Sequence, residues 1–377
     1  MPALWRSDLS ANSITEINSK SQSEGTREQT LTPRDAVLRM APYHPPSAGR
    51  RNKLRLDFNE NTVGASPHVL DFIKRYLTAS DLSIYPEYEH ALQDLALHFG
   101  VGEDELTLTN GTDEAIQLLI NTYVDDGQQV LILRPSYAMY RFYAQLAGAT
   151  VEEIDYRPGT LAFPLEELLE RISPATRAVL ISNPNNPTGT GTNVAALGRI
   201  LKKASHAAVL VDEAYYEFSG VTMLPLLSQY PNLFVSRTFS KTYGMAAMRC
   251  GCLFSQADNM THVRKAQSPY SVNALAAMAA RIAVQDEKFV EDYVLEVLTA
   301  RELLYVGLER LKIPYIKSQA NFVLFQAGDR AIAIRDELRN RGILVRDRSY
   351  ELPGYVRVTV GTRDQVQRFL DELEQIW

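Results

Sequence analysis

From Asp57 onward, short apolar runs alternate with longer stretches of helical periodicity, and few architectures accept that rhythm. Val130–Leu133, Val151–Ile154, Ala178–Ser182, Ala207–Val211, Leu233–Ser236 and Cys250–Phe254 read as strands. Asp113–Tyr123 and Val194–Ser205 read as helices between them. Strands alternating with helices build βαβ units, so the expected class is α/β with a mainly parallel sheet. Past Gln267 the pattern changes. Two long helices, Ser271–Gln285 and Lys288–Leu311, are followed by a strand at Asn321–Phe325 and a helix at Ala331–Asn340. A strand at Val356–Thr359 and a helix at Arg363–Ile376 complete a smaller α+β unit. With 377 residues the chain is long enough for two cores. The expected division is a polar, disordered arm over 1–33, a large domain over 63–270, and a small domain joining 34–62 to 271–377.

Composition narrows the class of function. A net charge of −6 argues against a general nucleic-acid binder. No apolar run reaches the roughly 18 residues of a membrane span. The opening MPALWRSDLS lacks an apolar signal core, and Asp8 and Glu16 are out of character for a transit peptide, so a cytoplasmic protein is expected. The only cysteines, Cys250 and Cys252, are too close for a useful disulfide, and no nearby His or Cys completes a metal site.

In an open parallel sheet, ligands bind beyond the carboxyl ends of the strands. There this chain places Arg134-Pro-Ser-Tyr137, Asn183-Pro-Asn-Asn-Pro-Thr-Gly189, Asp212-Glu-Ala-Tyr215 and Arg237-Thr-Phe-Ser-Lys241. Taken singly each has an ordinary explanation: Lys241 as a solvated lysine, Asp212 as a helix cap, Tyr137 as core, Asn183–Gly189 as a turn. Their convergence on one rim is what points to chemistry. A lysine kept partly neutral by burial and a nearby cation such as Arg249 can attack a carbonyl. A carboxylate ending the most apolar strand costs several kcal/mol unless paired, which suits Asp212 to a cationic ring nitrogen. Asn110-Gly-Thr-Asp-Glu114 opens a helix and serves equally as a cap or as an anion cradle.

These motifs together, in this order and spacing, resemble fold-type I aminotransferases that use pyridoxal 5'-phosphate (PLP), and most closely the histidinol-phosphate aminotransferases. The resemblance runs from about Leu38 to the C-terminus. It includes NENTVG (Asn59–Gly64), Tyr85–Pro86, PSYAMY (Pro135–Tyr140), ANFVL (Ala320–Leu324), Arg346 and RVTVGT (Arg357–Thr362). It implies that Lys241 holds PLP covalently and later moves a proton, and that Asp212 pairs with the pyridine nitrogen. Tyr215 and Asn186 would hydrogen-bond the ring oxygen, and Tyr137 would stack on the ring. Gly111, Thr112, Asp113, Thr238, Ser240 and Arg249 would cradle the phosphate, joined by Tyr85 from the partner subunit of a homodimer. Arg357 and Arg346 would hold the acidic group of the substrate, with Tyr43 and Asn59 as further contacts. The implied reaction is transfer of the amine of L-histidinol phosphate to 2-oxoglutarate, in histidine biosynthesis.

The chain departs from the family at Thr62-Val63, where Pro-Tyr is usual, in the methionine-bearing SKTYGMAAMRCG, and at Gln267–Tyr270, where Pro-Pro-Tyr is frequent. These bear on the substrate, and none falls on a proposed PLP contact. Alternatives on the same scaffold are an aromatic or general aminotransferase and a decarboxylase of a phosphorylated amino acid. A non-catalytic regulator would need a DNA-binding module, and the arm is too short and polar for one. A nicotinamide dehydrogenase would need a third glycine that Gly189-Thr-Gly191 lacks.

Overall fold

The computed structural model of the chain describes residues 31–42 and 49–377. Residues 1–30 of the polar arm, and Tyr43, lie outside the described residues.

Strand β1 is Leu54–Arg55. The large sheet uses β2 (Leu106–Thr109), β3 (Gln129–Arg134), β4 (Thr150–Asp155), β5 (Thr176–Ser182), β6 (Ala208–Asp212), β7 (Leu233–Thr238) and β8 (Gly251–Phe254). The remaining strands are β9 (Tyr315–Ile316), β10 (Phe322–Gln326), β11 (Ile343–Leu344), β12 (Arg346–Asp347) and β13 (Tyr355–Thr359).

The seven-stranded sheet has the order β2-β8-β7-β6-β5-β3-β4. Only β8 runs against the others. Both faces of its middle strands are buried. On one side Leu131, Leu133, Val179, Ile181, Val209 and Val211 join a core that also takes in Ala276, Ala280 and Val284. On the other side Val130, Ile132, Ala178, Leu180, Ala208 and Leu210 meet helix Gly111–Tyr123 through Ile116, Leu119 and Ile120. This is why these strands read as continuous apolar runs with no polar alternation. Each buried Val, Leu or Ile among them contributes roughly 1.5–3 kcal/mol.

A third core gathers Leu56, Tyr293, Val297, Leu304, Phe322, Phe325, Val356, Val358 and Phe369. It backs a four-stranded sheet of order β12-β13-β10-β9, and β1 pairs in parallel with β11. Thr362 starts the last helix, Arg363–Ile376, with a capping box closed by Gln365.

Two features differ from the sequence reading. Strand β2, whose four residues read Leu-Thr-Leu-Thr, was not foreseen, because Thr107 and Thr109 are buried although they look like a solvent face. The change of pattern after Gln267 is also not a change of core. Helix Ala274–Gln285 packs on helices Pro67–Tyr76 and Glu89–Phe99, against the large sheet. Its alanine-rich surface allows that close approach, and the smaller core takes its first helix from Glu287–Arg310.

Candidate functional site

The loops that follow β2, β3, β5, β6 and β7 reach one rim, as the topology requires. The reversed direction of β8 brings the residues before it to the same rim. Gly251 pairs with Thr109 on one side and Thr238 on the other. A Cβ at Gly251 would lie 2.8 Å from the Arg237 carbonyl oxygen and 3.0 Å from Gly111 C, so only glycine fits. Arg249, two residues earlier and left-handed at φ 56°, is thereby swung over the start of helix Gly111–Tyr123.

The resulting cleft holds roughly 720 Å³ of empty space including its open mouth. Thr112, Asp113, Tyr137, Asn186, Asp212, Tyr215, Thr238, Ser240, Lys241 and Arg249 all line it. Gly111 stands at its edge with φ 71°, and a Cβ there would come within 2.6 Å of Arg249 Nη2. Asn59, Arg346 and Arg357 line the outer part of the same opening, with Arg348 and Tyr350 beside them. The register of the small sheet explains the arginine pair: Arg346 on β12 stands directly opposite Arg357 on β13. Along β13, Val356 and Val358 enter the core while Arg357 and Thr359 face the cleft.

The floor is Asp212, 2% exposed. Its Oδ2 accepts from the Tyr140 hydroxyl at 2.8 Å and its Oδ1 from the Ser236 hydroxyl at 2.9 Å. Burial pushes the carboxyl up to about 6, although both hydroxyls favour the charged form. Among the described residues no cation pairs with it. Glu213, the next residue, is equally buried but is neutralised by Arg237 at 2.8 Å, whose guanidinium also lies over the Tyr216 ring. The chain thus pairs one of two adjacent buried acids and leaves the other facing the cleft.

The Lys241 amine donates to the Phe58 carbonyl at 3.0 Å. Burial, and then the Arg357 charge, bring it down to about 8. Asn59, left-handed at φ 56°, donates to the Tyr215 hydroxyl at 2.9 Å. Arg357 donates to the Asn186 side-chain oxygen and, at 2.7 Å, to the Asp57 carbonyl, while its buried Nε makes no hydrogen bond. Asp113 accepts from Tyr137 at 2.7 Å and from Arg249 at 3.1 Å. The Ser240 backbone donates to Thr238 Oγ1, closing a tight turn ahead of Lys241.

Tyr85 stands apart. It is 73% exposed, stacks on Tyr270 with ring centroids 4.4 Å apart, and does not line the cleft of its own chain.

Sequence reasoning missed Tyr140, Ser236, Phe58, Glu60, Arg348 and Tyr350. Two of these carried a signal. Ser236 is a polar residue inside the apolar run Leu-Phe-Val-Ser, and it lies opposite Asp212 in the register. Tyr140 is one helical turn beyond Tyr137 and so looks toward the same region. Phe58 contributes a backbone oxygen, which no side-chain motif reveals.

The cleft therefore combines a partly neutral amine, a buried carboxylate awaiting a cation, a helix start beside an arginine, and an arginine-lined mouth. Comparison with known proteins shows the family. Histidinol-phosphate aminotransferase of Symbiobacterium thermophilum is 35% identical over 355 residues, covering 90% of this chain and 97% of that protein. The enzyme of the same name from Geobacillus sp. is 34% identical, covering 89% and 96%. The solved structure of histidinol-phosphate aminotransferase from Sinorhizobium meliloti, in complex with pyridoxal-5'-phosphate, superposes with a TM-score of 0.82 at 23% identity, covering 95% of this chain and all of that one. The model of the family described as aminotransferase class I and II matches residues 51–373, and the chain belongs to that family.

Proposed function

We propose that this protein is a PLP-dependent aminotransferase that passes the amine of L-histidinol phosphate to 2-oxoglutarate, giving imidazole acetol phosphate and L-glutamate. The observation that carries the cofactor is the unpaired Asp212 carboxylate. A buried anion held by two neutral donors is costly, and a pyridinium nitrogen would offset that cost. The other groups fit as well. The start of helix Gly111–Tyr123, with Thr112, the Asp113 backbone, Thr238, Ser240 and Arg249, suits a phosphate. Lys241 supplies the amine that an aldehyde requires.

When bound, PLP supplies an electron sink for the bond broken at the substrate Cα. The chain supplies the rest. Lys241 would hold PLP through its amine and, when free, would move the proton at Cα, and a value of about 8 keeps a useful neutral fraction near neutral pH. Asp212 keeps the ring nitrogen protonated. Asn186 and Tyr215 would hydrogen-bond the ring oxygen, and Tyr137 would stack on the ring. Arg357 and Arg346 hold the acidic group of each substrate, which a guanidinium fork binds in two-point fashion. Asn59 steers Tyr215.

The named relatives support the choice of donor. The exposed Tyr85–Tyr270 pair supports a homodimer in which Tyr85 completes the partner's phosphate site. We place the boundary between the two domains between the large sheet and the body built on Glu287–Ile376 with residues 54–62. A cytoplasmic location belongs to the same reading, and no described helix is long and apolar enough to cross a membrane.

The test is the visible spectrum of the PLP-loaded protein on addition of L-histidinol phosphate without any 2-oxo acid. Bleaching of the yellow band is the expected result. Bleaching by aromatic amino acids and not by histidinol phosphate would move the protein to the aromatic reading. Release of CO₂ would move it to the decarboxylase reading.

A further inference from the structure

Residues 57–59 form a strap that touches the site three times in succession. The Asp57 carbonyl accepts from Arg357, the Phe58 carbonyl accepts from the Lys241 amine, and the Asn59 amide donates to Tyr215. None of these backbone oxygens is fixed by a strand, since β1 ends at Arg55 and Asn59 is left-handed. The ends of the strap are tied, Leu56 to the backbone of Leu344 and Thr359, and Asn59 to Thr359 and Asn321, which leaves Asp57 and Phe58 between the ties.

Arg50 adds a hold on that middle part from behind. Its guanidinium donates to both carboxylate oxygens of Asp57, at 2.7 and 3.0 Å, and to both of Glu60, each at 3.0 Å. One planar fork thus ties the residue before Phe58 to the residue two after it. The guanidinium carbon also lies 4.2 Å from the centroid of the Phe58 ring, and Arg346 faces that ring at 5.6 Å. Arg50 itself does not line the cleft, but Glu60 does. Glu60 also accepts from Arg55 at 3.0 Å. Burial would raise the Glu60 carboxyl, yet the two arginines bring it below the usual range and keep it ionised.

We infer that Arg50 is a positioning residue for Lys241: by gripping Asp57 and Glu60 together it sets the Phe58 carbonyl that receives the amine, and it balances the Glu60 carboxylate, which lines the cleft with the amine. The inference rests on Lys241 being the residue that carries PLP. It adds a device by which a residue outside the cleft governs the charge state of that amine. Whenever the amine is free, the Phe58 carbonyl is the acceptor that keeps it in place. The charged groups acting on Lys241 are Arg357 and Arg249 on one side and Glu60 and Asp113 on the other. Arg50 controls the balance through Glu60 alone.

The experiment is the pH dependence of the rate at which cofactor-free protein develops the yellow band on addition of PLP, which follows the neutral fraction of the Lys241 amine, carried out on wild type, R50M, E60Q and the double variant R50M/E60Q. Removing Arg50 leaves Glu60 with a single partner, so the midpoint should rise by about one pH unit. E60Q removes the negative charge and should lower the midpoint by a similar amount. The double variant should return close to wild type. Midpoints that stay at the wild-type value in both single variants, whatever happens to turnover, would overturn the inference. Should R50M not fold, R50Q decides in its place: a raised midpoint supports the clamp, and an unchanged or lowered one removes it. A K241A control separates this from the parent reading. A yellow band that survives K241A removes Lys241 as the PLP carrier. A band lost in K241A with unmoved midpoints elsewhere removes only the clamp.

Discussion

Tyr140 donates its hydroxyl hydrogen to Oδ2 of Asp212 at 2.8 Å, wholly out of solvent, and so supports the carboxylate from the side away from the cleft. Replacing Tyr140 with Phe leaves Ser236 as the only hydroxyl donor to that carboxylate. The charged form of Asp212 then becomes dearer by about 1–2 kcal/mol, and with it the attraction for a pyridinium nitrogen. Y140F should therefore hold PLP about tenfold less tightly or worse, measured by equilibrium dialysis of the reconstituted enzyme. Retention equal to wild type would mean that Asp212 does not depend on Tyr140.

Asp212 also makes the protein without its cofactor sensitive to pH. Its carboxyl is raised to about 6, so between the ordinary carboxyl value and about 6 the folded chain binds a proton that the unfolded chain has lost. Stability of the cofactor-free protein should fall as pH rises through that window, by about 3 kcal/mol from this group. D212N should remove the fall and be the more stable protein at pH 7 while binding PLP far less well. Urea unfolding at pH 4.5 and pH 7 checks both signs. A D212N variant less stable than wild type at pH 7 would show that the carboxylate is not an unpaid buried charge.

Arg357 acts by shape as well as charge. Two of its nitrogens are committed to Asn186 and to the Asp57 carbonyl, and Nε has no hydrogen bond. Lysine keeps the charge but cannot satisfy those partners and an anion together. R357K should lower kcat/KM for acidic substrates about 100-fold, chiefly through KM, with the visible spectrum intact. A loss of less than about threefold would move the anion site away from Arg357.

The Tyr85 assignment predicts complementation. Tyr85→Ala and Lys241→Ala should each be nearly inactive alone. Mixed and refolded together, they should regain about a quarter of wild-type activity, since half of the dimers are hybrids and each hybrid keeps one complete site. No recovery in a mixture shown by mass to contain hybrids would remove Tyr85 from the partner's site.

Much of this protein was written in its linear pattern. Apolar runs buried on both faces gave β3, β5, β6 and β7 and hence the α/β class, since a strand inside a covered parallel sheet needs no polar face. Helices Ala331–Asn340 and Arg363–Ile376 could be bounded from periodicity and a capping Thr362. The residues ending those strands could be foreseen as neighbours, because parallel strands deliver their carboxyl ends to one rim.

Tertiary structure alone decided the rest, because the deciding contacts join residues that no local pattern relates. The antiparallel run of β8 swings Arg249 over Gly111, and the packing of Ala274–Gln285 on the large sheet depends on helices nearly two hundred residues away. Register set Ser236 beside Asp212 and Arg346 beside Arg357. The Phe58 oxygen that receives Lys241 is a backbone atom 183 residues distant in the chain, and its position is a property of the fold, since every residue carries such an oxygen and only packing selects this one.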